Sequence, residues 1–78
     1  MSPIEFKLRA LGRPMVTLKD MSEALGIVYV TFHRRVGVLP AKRQPVTMQI
    51  GGCKMMILES AIEWCEQHQA DINEQRSK

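Results

Sequence analysis

Residues 17–36 read TLKDMSEALGIVYVTFHRRV and have the pattern of two helices joined by a tight turn. Leu18, Met21 and Leu25 recur at i, i+3 and i+7, which is the spacing of one apolar side on a helix. The charged residues between them would then face water. This spacing predicts a first helix that begins at Leu18 and packs against the rest of the chain on one side.

Both ends of this first helix carry residues that stabilise helix termini. Thr17 can accept a hydrogen bond from a backbone amide one turn on, and Asp20 places an acidic group near the positive end of the helix dipole. Gly26 directly follows Leu25, and glycine adopts positive φ at the lowest cost. The sequence therefore predicts that the chain turns at Gly26.

A second helix is expected after the turn. Phe32 and Val36 are spaced i and i+4, so both can pack against the first helix. Residues 28–32, VYVTF, favour a strand by local propensity, but the glycine turn and the Phe32–Val36 pair indicate a helix. Its outward side would carry the residues that a recognition helix presents to the major groove of DNA, namely Tyr29, Val30, His33 and Arg34.

The same pattern also has a purely structural interpretation. Two amphipathic helices joined by glycine occur in many small proteins. Arg34 and Arg35 could be an ordinary solvated pair at a helix C-terminus, where cations are favourable. From the pattern alone, both interpretations stay open.

Residues 1–14 are predicted to form an N-terminal helix or arm. Ser2 followed by Pro3 is typical of a helix start. Its apolar stripe consists of Ile4, Leu8 and Leu11. This stripe could pack on the rest of the chain or on a second copy, and a strand here is a weaker alternative. Residues 15–16 then form a short extended entry to the helix pair.

Beyond the second helix, the chain predicts a β-hairpin. Apolar and polar residues alternate over residues 46–50, as in a strand. Gly51-Gly52 is a two-residue turn signal, and residues 53–58 supply the return strand. The glycine turn and Lys54 can approach a phosphate closely because glycine has no side chain, although the glycines also serve the turn itself.

A last helix is predicted from residues 60–63, SAIE, which form a capping box. Trp64 lies on its apolar side and is expected to be the largest residue of the core. The same side includes Ala61, Cys65 and His68. From Ala70 onward the chain is polar, and we expect residues 70–78 to be a fraying tail.

The two cysteines, Cys53 and Cys65, form no C-x-x-C pair, and we expect partly buried free thiols rather than a disulfide. His68 shares the helix side of Cys65, which suggests a metal site completed by Cys53 or His33. Structural zinc sites usually gather their ligands in tight local pairs. The sequence therefore predicts neither a metal nor another cofactor.

Length and composition limit the classes of function. A chain of 78 residues forms one domain with little room for a large enzyme cleft. Neither histidine belongs to an arrangement suited to nucleophilic catalysis, so we expect no enzyme. No apolar run approaches the roughly 20 residues that cross a bilayer, and no secretory signal is present. We therefore expect a cytoplasmic protein without a membrane partner.

Charge is distributed unevenly along the chain, although the net charge is only +3. Residues 24–58 contain no Asp or Glu. The basic residues in this acid-free stretch are Arg34, Arg35, Lys42, Arg43 and Lys54. Residues 59–78 hold five acidic residues against two basic ones. A basic middle with an acidic end is typical of a nucleic-acid-binding protein whose acidic part faces away from phosphate.

The order of these pieces resembles the MerR-like winged helix-turn-helix of the excisionase and AlpA families of phages and mobile elements. The resemblance rests on TLKDMSEALGI, TFHRR, LP at 39–40, IGG at 50–52 and ESAIEW at 59–64. It implies a fold that is mainly α with a small β-hairpin, with the winged helix-turn-helix over residues 15–69. Such proteins usually open the recognition helix with Ser or Thr, where this chain has Val28.

In function, the resemblance implies a small DNA-bending protein of phage or prophage origin that directs an integrase toward excision and also represses a promoter. Several copies would bind adjacent repeats, so the expected partners are double-stranded DNA, a phage integrase and further copies of the chain. The residues expected to contact DNA are Tyr29, Val30, Thr31, His33, Arg34, Arg35, Lys42, Arg43, Gly51, Gly52 and Lys54.

Two alternatives are kept. The DNA-binding domain of a phage small terminase subunit resembles the same scaffold and serves DNA packaging. A protein interaction adaptor would use the N-terminal helix as its contact surface instead of binding DNA.

Overall fold

The structure, a computed structural model, describes residues 2–74, with the backbone alone at positions 71, 73 and 74. It is mostly helical with a small antiparallel sheet. The helices are α1 (Pro3–Arg9), α2 (Leu18–Leu25), α3 (Tyr29–Gly37) and α4 (Leu58–Glu74), with a 3-10 turn at Ala41–Arg43. The strands are β1 (Met15–Thr17), β2 (Met48–Ile50) and β3 (Cys53–Ile57).

The first helix of the predicted pair, α2, begins and ends as the sequence indicates. The Thr17 hydroxyl accepts a hydrogen bond from the Asp20 amide at 3.1 Å, and the Asp20 carboxylate accepts one from the Thr17 amide at 2.9 Å. Gly26 has a φ of +78°, and its amide donates to the Glu23 carbonyl at 3.1 Å. The predicted cap and the predicted turn are both confirmed.

Residues 29–37 form the helix α3, despite the strand propensity of VYVTF. Phe32 is fully buried and meets Trp64 edge to face, with ring centroids 6.2 Å apart. As expected, Val28 precedes the helix without any side-chain cap. Burial of Phe32 therefore outweighs both the local propensity and the missing cap, which is a common result of tertiary packing.

Helix α1 packs into the same core as the helix pair. Ile4 and Leu8 are buried, whereas Leu11 is 39% exposed. Arg9 donates to the carboxylate of Glu59 through both terminal nitrogens, at 2.9 and 3.0 Å. Of the two alternatives for this stripe, packing on the rest of the chain is therefore confirmed for Ile4 and Leu8, and packing on a second copy does not hold for these two side chains.

The sheet has the order β1-β3-β2, and both pairings are antiparallel. The predicted hairpin turn is confirmed, with φ of +57° at Gly51 and +85° at Gly52, which suits a two-residue hairpin. β2 is shorter than the predicted strand 46–50, and Val46 is 85% exposed. β1 pairs with β3 and so forms a third strand of the sheet. The sequence pattern indicated only a short extended segment at residues 15–16, before the helix pair.

Helix α4 begins earlier and ends later than predicted. It starts at Leu58, before the expected capping box at residue 60, so the chain passes directly from β3 into the helix. The Leu58 amide, which has no partner within the helix, donates to the Pro14 carbonyl at 2.9 Å. The helix continues to Glu74, and Ile72 is fully buried. The prediction that the chain frays from Ala70 is therefore wrong for residues 70–74, which belong to the helix. The rest of the predicted tail, residues 75–78, lies outside the described part of the chain.

The core lies between the four helices and the inner face of the sheet. Trp64 is buried, as predicted, and its indole nitrogen donates to the Arg43 carbonyl at 2.9 Å. That bond ties α4 to the 3-10 turn that leads into β2. Within residues 2–74, no helix has the length and apolar character needed to cross a membrane.

Candidate nucleic-acid interface

The outward side of α3 carries the four residues that the sequence placed there. Val30 and Arg34 are exposed, and their spacing from buried Phe32 puts them on the opposite side of the helix. Tyr29 and His33 are also exposed, and their rings contact each other with centroids 5.9 Å apart. The buried side of α3 thus holds the helix in place while its other side is presented to solvent.

An open cleft separates α3 from the hairpin, which we define as β2, the glycine turn and β3. Tyr29 and His33 line it from the helix, and Gln49 and Lys54 line it from the hairpin. Gly52 and Cys53 contribute at the hairpin tip, and Thr17, Leu18 and Lys19 contribute at the start of α2. His33 and Lys54 also line the continuation of the cleft toward the other end of α3. The fold therefore brings two separate predicted contact regions, α3 and the hairpin, to one concave surface.

Strand register explains which hairpin side chains face this cleft. Gln49 pairs with Lys54, while Val16 pairs with Met56, and both Val16 and Met56 are buried. Because side chains alternate along a strand, Lys54 and Met56 lie on the same face of β3. The face of the sheet that packs on the core near Met56 therefore carries Gln49 and Lys54 nearer the hairpin tip, where both line the cleft beside α3.

The hairpin tip is open to solvent. A side chain added at Gly51 or Gly52 would meet no other atom within 4 Å. The turn nevertheless favours glycine, because both residues have positive φ. A nucleic-acid backbone could therefore approach the tip without a steric barrier.

Acidic groups pair with basic groups mainly around α1. The Arg9 guanidinium binds Glu59 and Glu5, and these hydrogen bonds raise the pKa of Arg9. Arg13 binds Asp20 at 2.8 Å, and Ser2 donates to the carboxylate of Glu66. Arg34, Lys42 and Lys54, by contrast, form no ion pair with any carboxylate that the structure describes. The cations near α3 and the hairpin thus remain available to an anionic partner.

Arg35 differs from its neighbour Arg34. It is partly buried, and its guanidinium donates to the Ile72 carbonyl at 2.9 Å. This bond holds α3 against the end of α4. The structure therefore places Arg35 in an internal contact, although the sequence pattern treated both arginines as DNA-binding residues.

Other predicted contact residues also lie outside the lining of the cleft, namely Val30, Thr31, Arg34, Lys42, Arg43 and Gly51. Lys42 and Arg43 belong to the 3-10 turn and line a different groove, between that turn, β2 and α4. Thr31 is partly buried on α3. These residues could contact DNA only outside the cleft that joins α3 to the hairpin.

Five residues that line the cleft are absent from the predicted set, namely Thr17, Leu18, Lys19, Gln49 and Cys53. Lys19 looked like an ordinary solvated residue of α2, and no local signal indicates that the helix start lies beside the hairpin. Gln49 did carry a signal, because it occupies the polar face of the alternating strand. The sequence did not show on which side of the sheet this polar face lies.

The residues once considered for a metal site have other roles. His68 stacks on Trp64 with centroids 4.6 Å apart, and its Nδ1 lies 3.0 Å from the Trp64 carbonyl oxygen. Cys65 is fully buried, which raises the pKa of its thiol to about 12, whereas Cys53 is exposed. The prediction that both thiols are partly buried is therefore wrong, since one is exposed and the other is fully buried. Among the side chains that the structure describes, no three from His, Cys, Asp or Glu are grouped in a way that could hold a metal.

Comparison of the chain with protein-family models, with curated proteins and with solved structures gave no match.

Proposed function

We propose that this chain is a winged helix-turn-helix protein that binds specific sites on double-stranded DNA. In this proposal, α3 enters the major groove and the hairpin lies on the flanking backbone or minor groove. The observation that carries the proposal is the cleft between α3 and the hairpin, where Tyr29, His33 and Lys54 face one concave surface. A recognition helix beside a basic hairpin supports both base reading and backbone contact.

Electrostatics supports the same orientation. The stretch 24–58, which includes α3 and the whole hairpin, contains no acidic residue. Arg34 and Lys54 lie there without a described carboxylate partner, and Lys19 joins Lys54 as a second cation at the cleft. Surface cations near phosphates stabilise a complex largely through counterion release, which requires that no internal carboxylate already neutralises them.

The biological role that we propose follows the resemblance to excisionases. The protein would bend DNA at adjacent repeats, act with a phage integrase to favour excision, and repress a promoter in the same region, in the cytoplasm of a bacterial host. The genes beside its own provide a direct test. An integrase gene and an attachment site would support this role, whereas a large terminase gene would favour DNA packaging.

Several copies are proposed to act together on DNA. One domain with few phosphate-directed charges binds weakly at physiological salt, and neighbouring copies raise each other's effective concentration. With Ile4 and Leu8 inside the core, the remaining candidate contact is the acidic side of α4, where Glu63 is exposed, against a neighbour's basic surface. Binding to one, two and three tandem sites tests this, and independent filling of all sites would contradict it.

An adaptor function has one observation in its favour. The sheet face opposite the core carries exposed apolar residues, namely Met48, Ile50 and Ile57. Such a face can contact a protein partner. It does not explain why the cations are placed at α3 and the hairpin, so DNA binding remains the preferred function.

Selection from a random duplex library tests the proposed function. The full chain should enrich a defined sequence, and an Arg34→Ala variant should enrich it less sharply. An Arg9→Ala variant is the matched control, because Arg9 is held by Glu5 and Glu59 outside the cleft. No enrichment by the unmodified chain would contradict sequence-specific binding.

A further inference from the structure

The start of α3 exposes two aliphatic side chains. Val28, the residue before the helix, is 71% exposed, and Val30 in its first turn is 62% exposed. Single exposed apolar residues are common on protein surfaces. Two valines at the helix end that a recognition helix directs toward base edges form a more specific feature.

Polar side chains contribute little at this end of the helix. Val28 makes no side-chain cap, and Thr31 is partly buried. Tyr29 turns toward the hairpin, where it lines the cleft with His33. The first turn of α3 therefore presents mainly aliphatic groups to anything that approaches it from solvent.

In the major groove, an aliphatic side chain has one suitable partner. Guanine, cytosine and adenine present hydrogen-bond donors and acceptors there, whereas thymine also presents a C5-methyl group. A valine placed against donors or acceptors would remove water from them without replacing the hydrogen bonds, which is unfavourable. Contact with a thymine methyl buries two apolar surfaces together and is favourable.

We propose that Val30 selects thymine by contacting the C5-methyl group. This inference rests on the proposed function and specifies the DNA that the site takes. Arg34 follows Val30 by four residues on the same side of α3, a rise of about 6 Å, which is roughly two base-pair steps. Because Arg34 is suited to a guanine edge, the bound sequence should contain a thymine within about two or three base pairs of a guanine.

Uracil substitution tests the inference with the full chain. Each thymine of a selected duplex is replaced in turn by deoxyuridine, which removes the methyl group and keeps every hydrogen-bonding atom. Replacement at one or two positions should weaken binding roughly fourfold, as expected for loss of one buried methyl-sized group. The Val30→Ala variant should bind the thymine and uracil duplexes almost equally.

The control is Val38→Ala. Val38 is 69% exposed, slightly more than Val30 at 62%, but it lies at the opposite end of α3. It should keep the preference for thymine unchanged. If every uracil duplex binds as well as its thymine parent, or if Val30→Ala keeps the full preference, the thymine inference is overturned while sequence-specific binding stands. If no duplex is bound at all, the proposed function falls as well.

Discussion

His33 of α3 and Lys54 of β3 line the same cleft, although a 3-10 turn and a strand separate them along the chain. A cation and a hydrogen-bonding imidazole on one concave surface suit a phosphate backbone. The position of the hairpin relative to α3 thus determines which charges act together.

Lys54→Ala should weaken binding to all duplex sequences by a similar factor, because Lys54 is assigned to the phosphate backbone. The slope of log affinity against log salt should fall by about 1. Lys7→Ala is the control, since Lys7 is exposed on α1, away from the cleft. A Lys54→Ala variant that lost affinity for one sequence only would show that this lysine reads bases.

The neighbouring arginines should behave differently. Arg34→Ala should cost about 1–3 kcal/mol of binding free energy, mainly on the specific site, because a guanine contact is lost. Arg35→Ala should instead lower the free energy of unfolding by about 1–3 kcal/mol, because the bond to the Ile72 carbonyl is lost. Denaturant unfolding and DNA titration of both variants test this. Equal effects of the two variants in both assays would contradict the different positions of the side chains.

Leu8→Ala should lower the free energy of unfolding by about 2–5 kcal/mol, because Leu8 is fully buried in the core. Leu11→Ala is the matched control on the same predicted stripe, and its effect should be much smaller, since Leu11 is 39% exposed. Denaturant unfolding measures both. If Leu8→Ala is as stable as the unmodified chain but loses cooperative binding to tandem DNA sites, then α1 forms a contact between copies instead of packing in the core.

The two thiols should differ in reactivity toward iodoacetamide. Cys53 is exposed and should be labelled in the native protein, whereas buried Cys65 should be labelled only after unfolding. Burial raises the pKa of Cys65 to about 12, so its reactive thiolate should stay scarce in the native protein at pH 7–9. Mass spectrometry after timed labelling locates the modified residue. Rapid labelling of Cys65 in the native state would contradict its place in the core.

The parts of the fold that depend on local chemistry were predictable from sequence. Three such features depend only on residues that are close together in the chain. They are the reciprocal Thr17–Asp20 cap, the positive φ of Gly26 and the Gly51-Gly52 turn. The early start of α4 was not predictable. The Leu58 amide there is satisfied by the carbonyl of Pro14, a long-range contact that no short-range pattern contains.

The candidate site also has one part that the sequence could predict and one part that it could not. The outward residues of α3 followed from helical periodicity, because Phe32 defines the buried side. Periodicity placed Arg34 opposite Phe32 and Arg35 toward the buried side, but it could not show the partner of Arg35, since the carbonyl of Ile72 is brought beside Arg35 only by packing of α4 against α3. The place of Lys19 in the cleft was missed for the same reason.

The acid-free surface of α3 and the hairpin is proposed to bind duplex DNA, and titration of the full chain with its selected duplex at several salt concentrations measures this binding. Log affinity should fall linearly with log salt, with a slope of roughly −2 to −4 for a few phosphate contacts, and the slope should become shallower in Lys54→Ala but not in Lys7→Ala. A flat salt dependence, or no binding to duplex at low salt, would contradict this proposal.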